Sequence, residues 1–150
     1  MRSAEIIIDV PFFDVDAMQV VWHGHYVKYL EVARCELLRS FHYDYNEMSE
    51  SGYMWPIVDM SLKYVGSALF AHKIKVTATL KEWENRLRID YLITDVASGK
   101  KLTKASTTQV AIDMKTRQMC FESPAILFEK LGYDKPLLWC TLRKEVYFVI

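Results

Sequence analysis

The sequence predicts an α+β fold in which one long antiparallel sheet wraps around one central helix, and three observations lead there. A single long amphipathic helical pattern runs from about Tyr26 to Phe41. Beyond it the apolar period changes from helical to two and stays so through several segments. Short turn-forming clusters separate these segments, as antiparallel neighbours require. A helix with one apolar stripe and a sheet with one apolar face bury each other.

The first strand runs from about Ala4 to Val10 and is closed by Pro11, which cannot donate to a ladder. On the helix, Tyr26, Leu30, Ala33, Leu37 and Phe41 recur at steps of three and four, Val27 and Leu38 widen the stripe, and Lys28, Glu31, Glu36 and Arg39 are polar. From His42 to Gly52 the chain reads as a loop with one helical turn at most. Four strands follow. The first, about Met54 to Val65, is interrupted by Pro56 and ends at Gly66-Ser67. The second, about Lys73 to Trp83, sets Ile74, Val76, Ala78 and Leu80 on one face. The third, about Arg86 to Val96, does the same with Leu87, Ile89, Tyr91 and Ile93. Each has one buried and one wetter face, the habit of an antiparallel sheet. The fourth, about Lys101 to Met114, carries Thr and Ala on both faces, so both sides are expected to be covered. A short helix then follows Ser123-Pro124, with Ser123 as cap and Gly132 as stop.

The length of 150 residues suits one domain, 1–150, with about 133–150 as an apolar C-terminal extension expected to pack on the body or on a neighbouring subunit. Nineteen basic and nineteen acidic residues cancel, which is not the electrostatic footprint of a nucleic-acid binder. The N-terminus lacks a signal-like apolar run, and no stretch is long enough to span a membrane. Cys35, Cys120 and Cys140 are odd in number and widely spaced, which argues against a disulfide framework or a zinc ribbon. A cytoplasmic protein is expected.

The residues that carry chemistry precede the helix. Asp14, Asp16, His23 and His25 collect before and at its start, where unpaired backbone N–H groups and the positive dipole end also gather. A reaction that develops negative charge on oxygen suits that place. Each residue also has a plainer reading: Asp16 as a turn or helix cap, Asp14 as a loop hydrogen-bonding group, Glu31 as the ion-pair partner of Lys28 or Arg34, and Cys35 as a small core residue. Metal ligation by the two acids and two histidines is disfavoured, because His23 and His25 on a helix start point in different directions. The lysine face of Lys73, Lys75 and Lys81 reads either as a solvated strand face or as a meeting place for the phosphates of a ligand.

Asp16-Ala17-Met18-Gln19-Val20-Val21-Trp22-His23-Gly24-His25-Tyr26, with Glu31, Ala33 and Arg34 downstream, resembles the signature of the 4-hydroxybenzoyl-CoA thioesterase-like branch of hotdog-fold acyl-CoA thioesterases, which includes the Tol-Pal-associated enzymes. The resemblance covers about Ile6 to Leu131. It implies a hotdog fold and an acyl thioester hydrolase acting on an acyl-CoA or acyl-carrier-protein ester, with no metal or other cofactor and coenzyme A only as part of the substrate. It implies catalytic roles for Asp16, as nucleophile or general base, and for His23, whose backbone N–H polarises the thioester carbonyl and whose imidazole assists. It also implies a homodimer or homotetramer with sites at subunit interfaces.

Departures from the signature set further expectations. Gln19 stands where the family has glycine, which implies a different loop path or loss of a left-handed residue. His25 replaces Asn, and Phe12 lacks the hydroxyl of the tyrosine that the Tol-Pal-associated enzymes carry nearby. Tyr26, Leu69 and Phe70 are the expected substrate-binding residues, and the apolar Leu69-Phe70 loop predicts a fatty or aromatic acyl group. Two other readings stand beside the hydrolase: a hotdog dehydratase of β-hydroxyacyl thioesters using His23 or His25 with Glu31, and an acyl-thioester-binding module without catalysis.

Overall fold

The computed structural model describes residues 2–134. The expected extension from 135 onward, with Cys140, lies outside the described residues. In chain order the elements are β1 (Ser3–Asp9), a 3₁₀ turn (Phe12–Asp14), α1 (His25–Ser40), α2 (Tyr45–Glu50), β2 (Tyr53–Met54), β3 (Ile57–Tyr64), β4 (Lys73–Glu82), β5 (Leu87–Asp95), β6 (Lys101–Gln109), β7 (Ile112–Asp113) and α3 (Ala125–Leu131).

Five strands form one antiparallel sheet in the order β1-β4-β5-β6-β3. The hairpins β4-β5 and β5-β6 form its centre, while β1 joins one side with Ala4 opposite Ala78 and β3 the other with Leu62 opposite Ala105. The alternation in β4 and β5 puts Ile74, Val76, Ala78, Leu80, Leu87, Ile89 and Ile93 on the inner face, all essentially without solvent contact. Against them lie Tyr26, Leu30, Ala33 and Leu37 of α1, which rests on β1 and β4. Each such buried aliphatic side chain contributes about 2 kcal/mol. The predicted sheet-around-helix architecture is the one observed.

Local differences have local causes. Asp44 accepts a hydrogen bond from Tyr45 N (2.8 Å) and starts α2, so the segment read as loop with one turn contains a short helix. Pro56 splits the expected strand from Met54 to Val65: β2 pairs with β7, and only β3 joins the main sheet. The strand expected to reach Met114 divides in the same way into β6 and β7. Ser123 does not cap α3; Pro124 holds the cap position without a side-chain bond, and Ser123 is buried instead. Gly132, at φ 82°, ends that helix in the left-handed region as expected.

Candidate active site

Between β1 and α1 the chain makes a small hairpin. Val15 pairs with Val21, Asp16 N donates to Val20 O (2.9 Å), and Gln19 N donates to Asp16 O (3.0 Å). One carboxylate oxygen of Asp16 accepts from Met18 N (2.8 Å), so the residue does cap its turn. Its other oxygen meets no hydrogen-bond donor among the described residues. Gln19 closes the turn at φ 65°. The expectation that glycine's absence removes the left-handed residue is therefore corrected: the turn requires that conformation, and glutamine adopts it at a cost of about 1 kcal/mol.

Asp14 fastens this hairpin to the helix. It is 2% exposed, accepts from Tyr29 OH (2.6 Å) and Lys28 Nζ (2.7 Å), and lies 3.9 Å from His25 Nε2. Burial pushes its carboxyl up, but the hydrogen bonds from Lys28 and Tyr29 and the nearby positive charge outweigh that and hold it below the ordinary carboxylate value. Burial and the same carboxylate push the Tyr29 hydroxyl well above its usual range. Asp14, as expected, is a loop-ordering group, and it is the carboxylate beside a histidine. No hydrogen bond or ion pair joins Asp16 to His23 or His25 among the described residues.

The return arm of the hairpin leads into α1 through Trp22, His23 and Gly24. Trp22 O accepts from His25 N (2.9 Å), which aims that carbonyl along the helix and the His23 N–H of the same trans peptide away from it. Tyr64 OH, at the end of β3, donates to His23 O (2.8 Å) and fixes the next peptide likewise. The backbone N–H groups of His23 and Gly24 donate to no acceptor among the described residues. Two oriented donors at the start of a 16-residue helix can stabilise an oxyanion. The Trp22 indole lies over Gly24, with the His23 and His25 rings 4.9 and 5.3 Å from it. Sequence reasoning missed Tyr64, which is 41 positions from His23 and carries no local signal.

The loop after β3 closes over the same hairpin. Val21 N donates to Ala68 O (2.9 Å), and Leu69 pairs with Val20. Tyr26, expected at the substrate, is 2% exposed, and its hydroxyl accepts from Ala68 N (3.0 Å), holding the loop from beneath. Leu69 and Phe70 are 40% and 48% exposed, and with Met18 and Trp22 they form an apolar rim beside the hairpin. Such a rim is a candidate binding surface.

The remaining candidates fall elsewhere. Glu31 pairs with Arg34 and accepts from Tyr45 OH, whereas Lys28 goes to Asp14. Burial and the bond to Glu31 push the Tyr45 hydroxyl up to about 12. Burial also raises the Cys35 thiol, unlike an activated nucleophile. Lys73 and Lys75 pair with Asp9 (2.8 Å) and Glu5 (3.5 Å) across β1. Among the described residues no three of His, Cys, Asp and Glu converge as a metal site would need.

A family profile described as the thioesterase-like superfamily matches residues 10–134. The chain belongs to the thioesterase-like superfamily. It is 29% identical over 128 residues to a provisionally named esterase of Synechocystis, covering 85% of this chain and 77% of that protein. It is 24% identical over 117 residues to a provisionally named acyl-CoA thioesterase of Bacillus subtilis, covering 77% and 84%. Among solved structures it is similar to the DHNA-CoA thioesterase of Staphylococcus aureus, with a TM-score of 0.73, 25% identity and 81% of each chain covered. This member of the superfamily thus has its hotdog sheet and helix, and its matched span contains Asp16, His23 and the Leu69-Phe70 loop. No described helix is long and apolar enough to cross a membrane.

Proposed function

We propose that this chain is a thioesterase of the 4-hydroxybenzoyl-CoA thioesterase-like branch that hydrolyses an acyl-CoA in the cytoplasm. The observation that carries the proposal is that one hairpin leading into α1 carries both a turn-held carboxylate, Asp16, and the N–H groups of His23 and Gly24, which donate to no acceptor among the described residues. In this reading those two N–H groups receive the thioester oxygen as it gains charge. Asp16 either takes a proton from the attacking water as the thiolate leaves, or itself attacks the carbonyl carbon and expels the thiolate, in which case water then cleaves the acyl–aspartyl anhydride and frees the acid. The superfamily match and the acyl-CoA thioesterase among the relatives support the reaction class. The apolar rim of Met18, Leu69 and Phe70 supports a fatty or aromatic acyl group. The alternative of a dehydratase is weakened by Glu31, which is engaged by Arg34 and Tyr45.

The reading extends to a homodimer. Strand β3 stands at the sheet's edge, with Val58 and Val65 exposed along it. Antiparallel pairing of β3 with its copy brings the partner's Ile57 end beside the Tyr64 and His23 end of the first chain. An apolar groove of about 570 Å³, lined by Met48, Tyr53, Met54, Trp55 and Met114, adjoins that Ile57 end and so comes to face the other chain's helix start.

Thiol release from a panel of acyl-CoA esters, wild type beside Asp16→Asn, tests the proposal. Turnover of long or aromatic esters, lost with the substitution while the fold persists, is expected. Undiminished hydrolysis by Asp16→Asn overturns the assignment of the carboxylate, and no turnover across the panel overturns the acyl-CoA reading.

A further inference from the structure

Strand β1 is a bare edge of the sheet. β4 pairs along one side of it, residue for residue from Ser3 to Asp9, and no strand among the described residues pairs along the other. Leu80 N donates to Arg2 O (2.9 Å) and Val10 N to His72 O (3.0 Å), so at both ends the even-numbered residues face β4. Between them Ala4, Ile6 and Ile8 exchange backbone bonds with β4, while Ser3, Glu5, Ile7 and Asp9 point their N–H and C=O groups away from it. Apolar surface lies on both sides of this edge. Ile7 is exposed on the outer face, and Ile6 and Ile8 are only partly buried on the inner one. Above the inner face, Val32 of α1 is exposed one turn beyond Lys28 and Tyr29, which reach Asp14 just past the end of β1. An edge with three consecutive isoleucines and a free ladder invites another strand.

The chain itself supplies the occupant. From α3 it leads to the Ser3 end of this edge: Leu131 O accepts from Arg2 (2.8 Å), and Tyr133 stacks at 5.3 Å on Trp83, just past the end of β4. Residues 135–150 follow, and they include Val146-Tyr147-Phe148-Val149-Ile150, a run of β-branched and aromatic residues. Residues 135–144 span up to about 33 Å when extended, against about 23 Å for β1, so the chain can pass along the strand, turn at its Asp9 end and return antiparallel. Alternate side chains of the returning segment then meet Ile7 on one face and Ile6, Ile8 and Val32 on the other, which suits a run that is apolar on both faces. Pairing of β1 with a second copy of itself fits less well, because it sets Glu5 against its own copy or against Asp9, directly or diagonally. The edge and the segment both lie outside the span 10–134 that the superfamily profile matches.

We propose that residues 145–150 add to β1 of their own chain as an antiparallel sixth strand of the sheet. The proposal stands apart from the thioesterase reading, since strand pairing is measurable without turnover. The test is residue-resolved amide hydrogen exchange on the full chain, beside the single variants Tyr147→Pro and Phe148→Pro. Successive N–H groups along a strand point opposite ways, so one of these two faces β1 in any register, and proline there removes a bond to it.

In the wild type the Glu5 and Ile7 amides should exchange about tenfold or more slowly than in an unstructured peptide, and at least one proline variant should release them by that factor. The Ala4, Ile6 and Ile8 amides, bonded to β4, should keep their protection in both variants, which verifies that the body stays folded. Glu5 and Ile7 amides that exchange freely in the full chain overturn the proposal. So does protection that neither proline disturbs, which gives the edge to another occupant. In a mixture of two isotopically distinct chains, contacts between β1 and 145–150 should join only like chains; contacts between unlike chains assign the strand to a partner copy and overturn the pairing within one chain.

Discussion

The Tyr29 hydroxyl donates to the Asp14 carboxylate over 2.6 Å, and through that bond the first turns of α1 hold the hairpin that carries Asp16. Lys28 adds a second donor from the same helix. Asp14→Asn keeps the shape and loses the charge, and a cost of about 2 kcal/mol is expected for hydrogen bonds to a buried charged group. Because the folded carboxyl is held below its ordinary value, its stabilisation is present above the unfolded value of about 3.9 and disappears as pH falls through the folded one. Urea unfolding at pH 7 and pH 3 checks this: the gap between wild type and variant should be wide at pH 7 and narrow in acid. A gap independent of pH would show that the carboxylate's charge is not what stabilises.

Gln19 occupies the left-handed region at the tip of the same hairpin. Gln19→Gly relieves that conformation and should stabilise the chain by about 1 kcal/mol, less a few tenths for the added freedom of the unfolded state. In a domain of this size that net gain is a rise of about 1–3 °C in melting temperature. Calorimetry on the two proteins decides, and a fall in melting temperature would mean that the glutamine side chain contributes more than its backbone costs.

Gly24 has ordinary helical dihedrals, φ −70° and ψ −24°, so its backbone accepts alanine. The obstacle is the Trp22 indole, which occupies the place of the new Cβ. Gly24→Ala should swing the half-exposed indole outward, shift tryptophan emission to the red and cost about 1 kcal/mol, the low end of overpacking. Adding Trp22→Ala should recover the stability and not the spectrum. An unchanged emission maximum in the single variant would contradict this packing.

The sheet and the helix were legible because burial leaves a period. Ile74, Val76, Ala78 and Leu80 alternate, Tyr26, Leu30, Ala33 and Leu37 step by helical turns, and both patterns point to the same core. The order of strands was not legible, since nothing local tells β3 to join β6 or β1 to join β4. Pro56 was visible as an interruption, yet only pairing with β7 shows that it separates two sheets. The candidate site was legible as a motif through Asp16 and His23. What orients it was not: Tyr64 on His23 O and Tyr26 on Ala68 N are contacts across more than forty positions, made by tyrosines that look like any others in the sequence.

The position of β1 has a bearing on biosynthesis. Ala4 pairs with Ala78, so the strand made first has its sheet partner only after more than seventy further residues have been added. At about 5–20 residues per second on the ribosome, β1 and the apolar stripe of α1 wait several seconds with only each other for cover. The β4-β5-β6 meander can close from local contacts as soon as it emerges, and it then serves as the template on which the older segments settle. A nascent chain of this protein is therefore most vulnerable to aggregation between the synthesis of α1 and that of β4, and that interval is when a holdase chaperone has the most apolar surface to recognise.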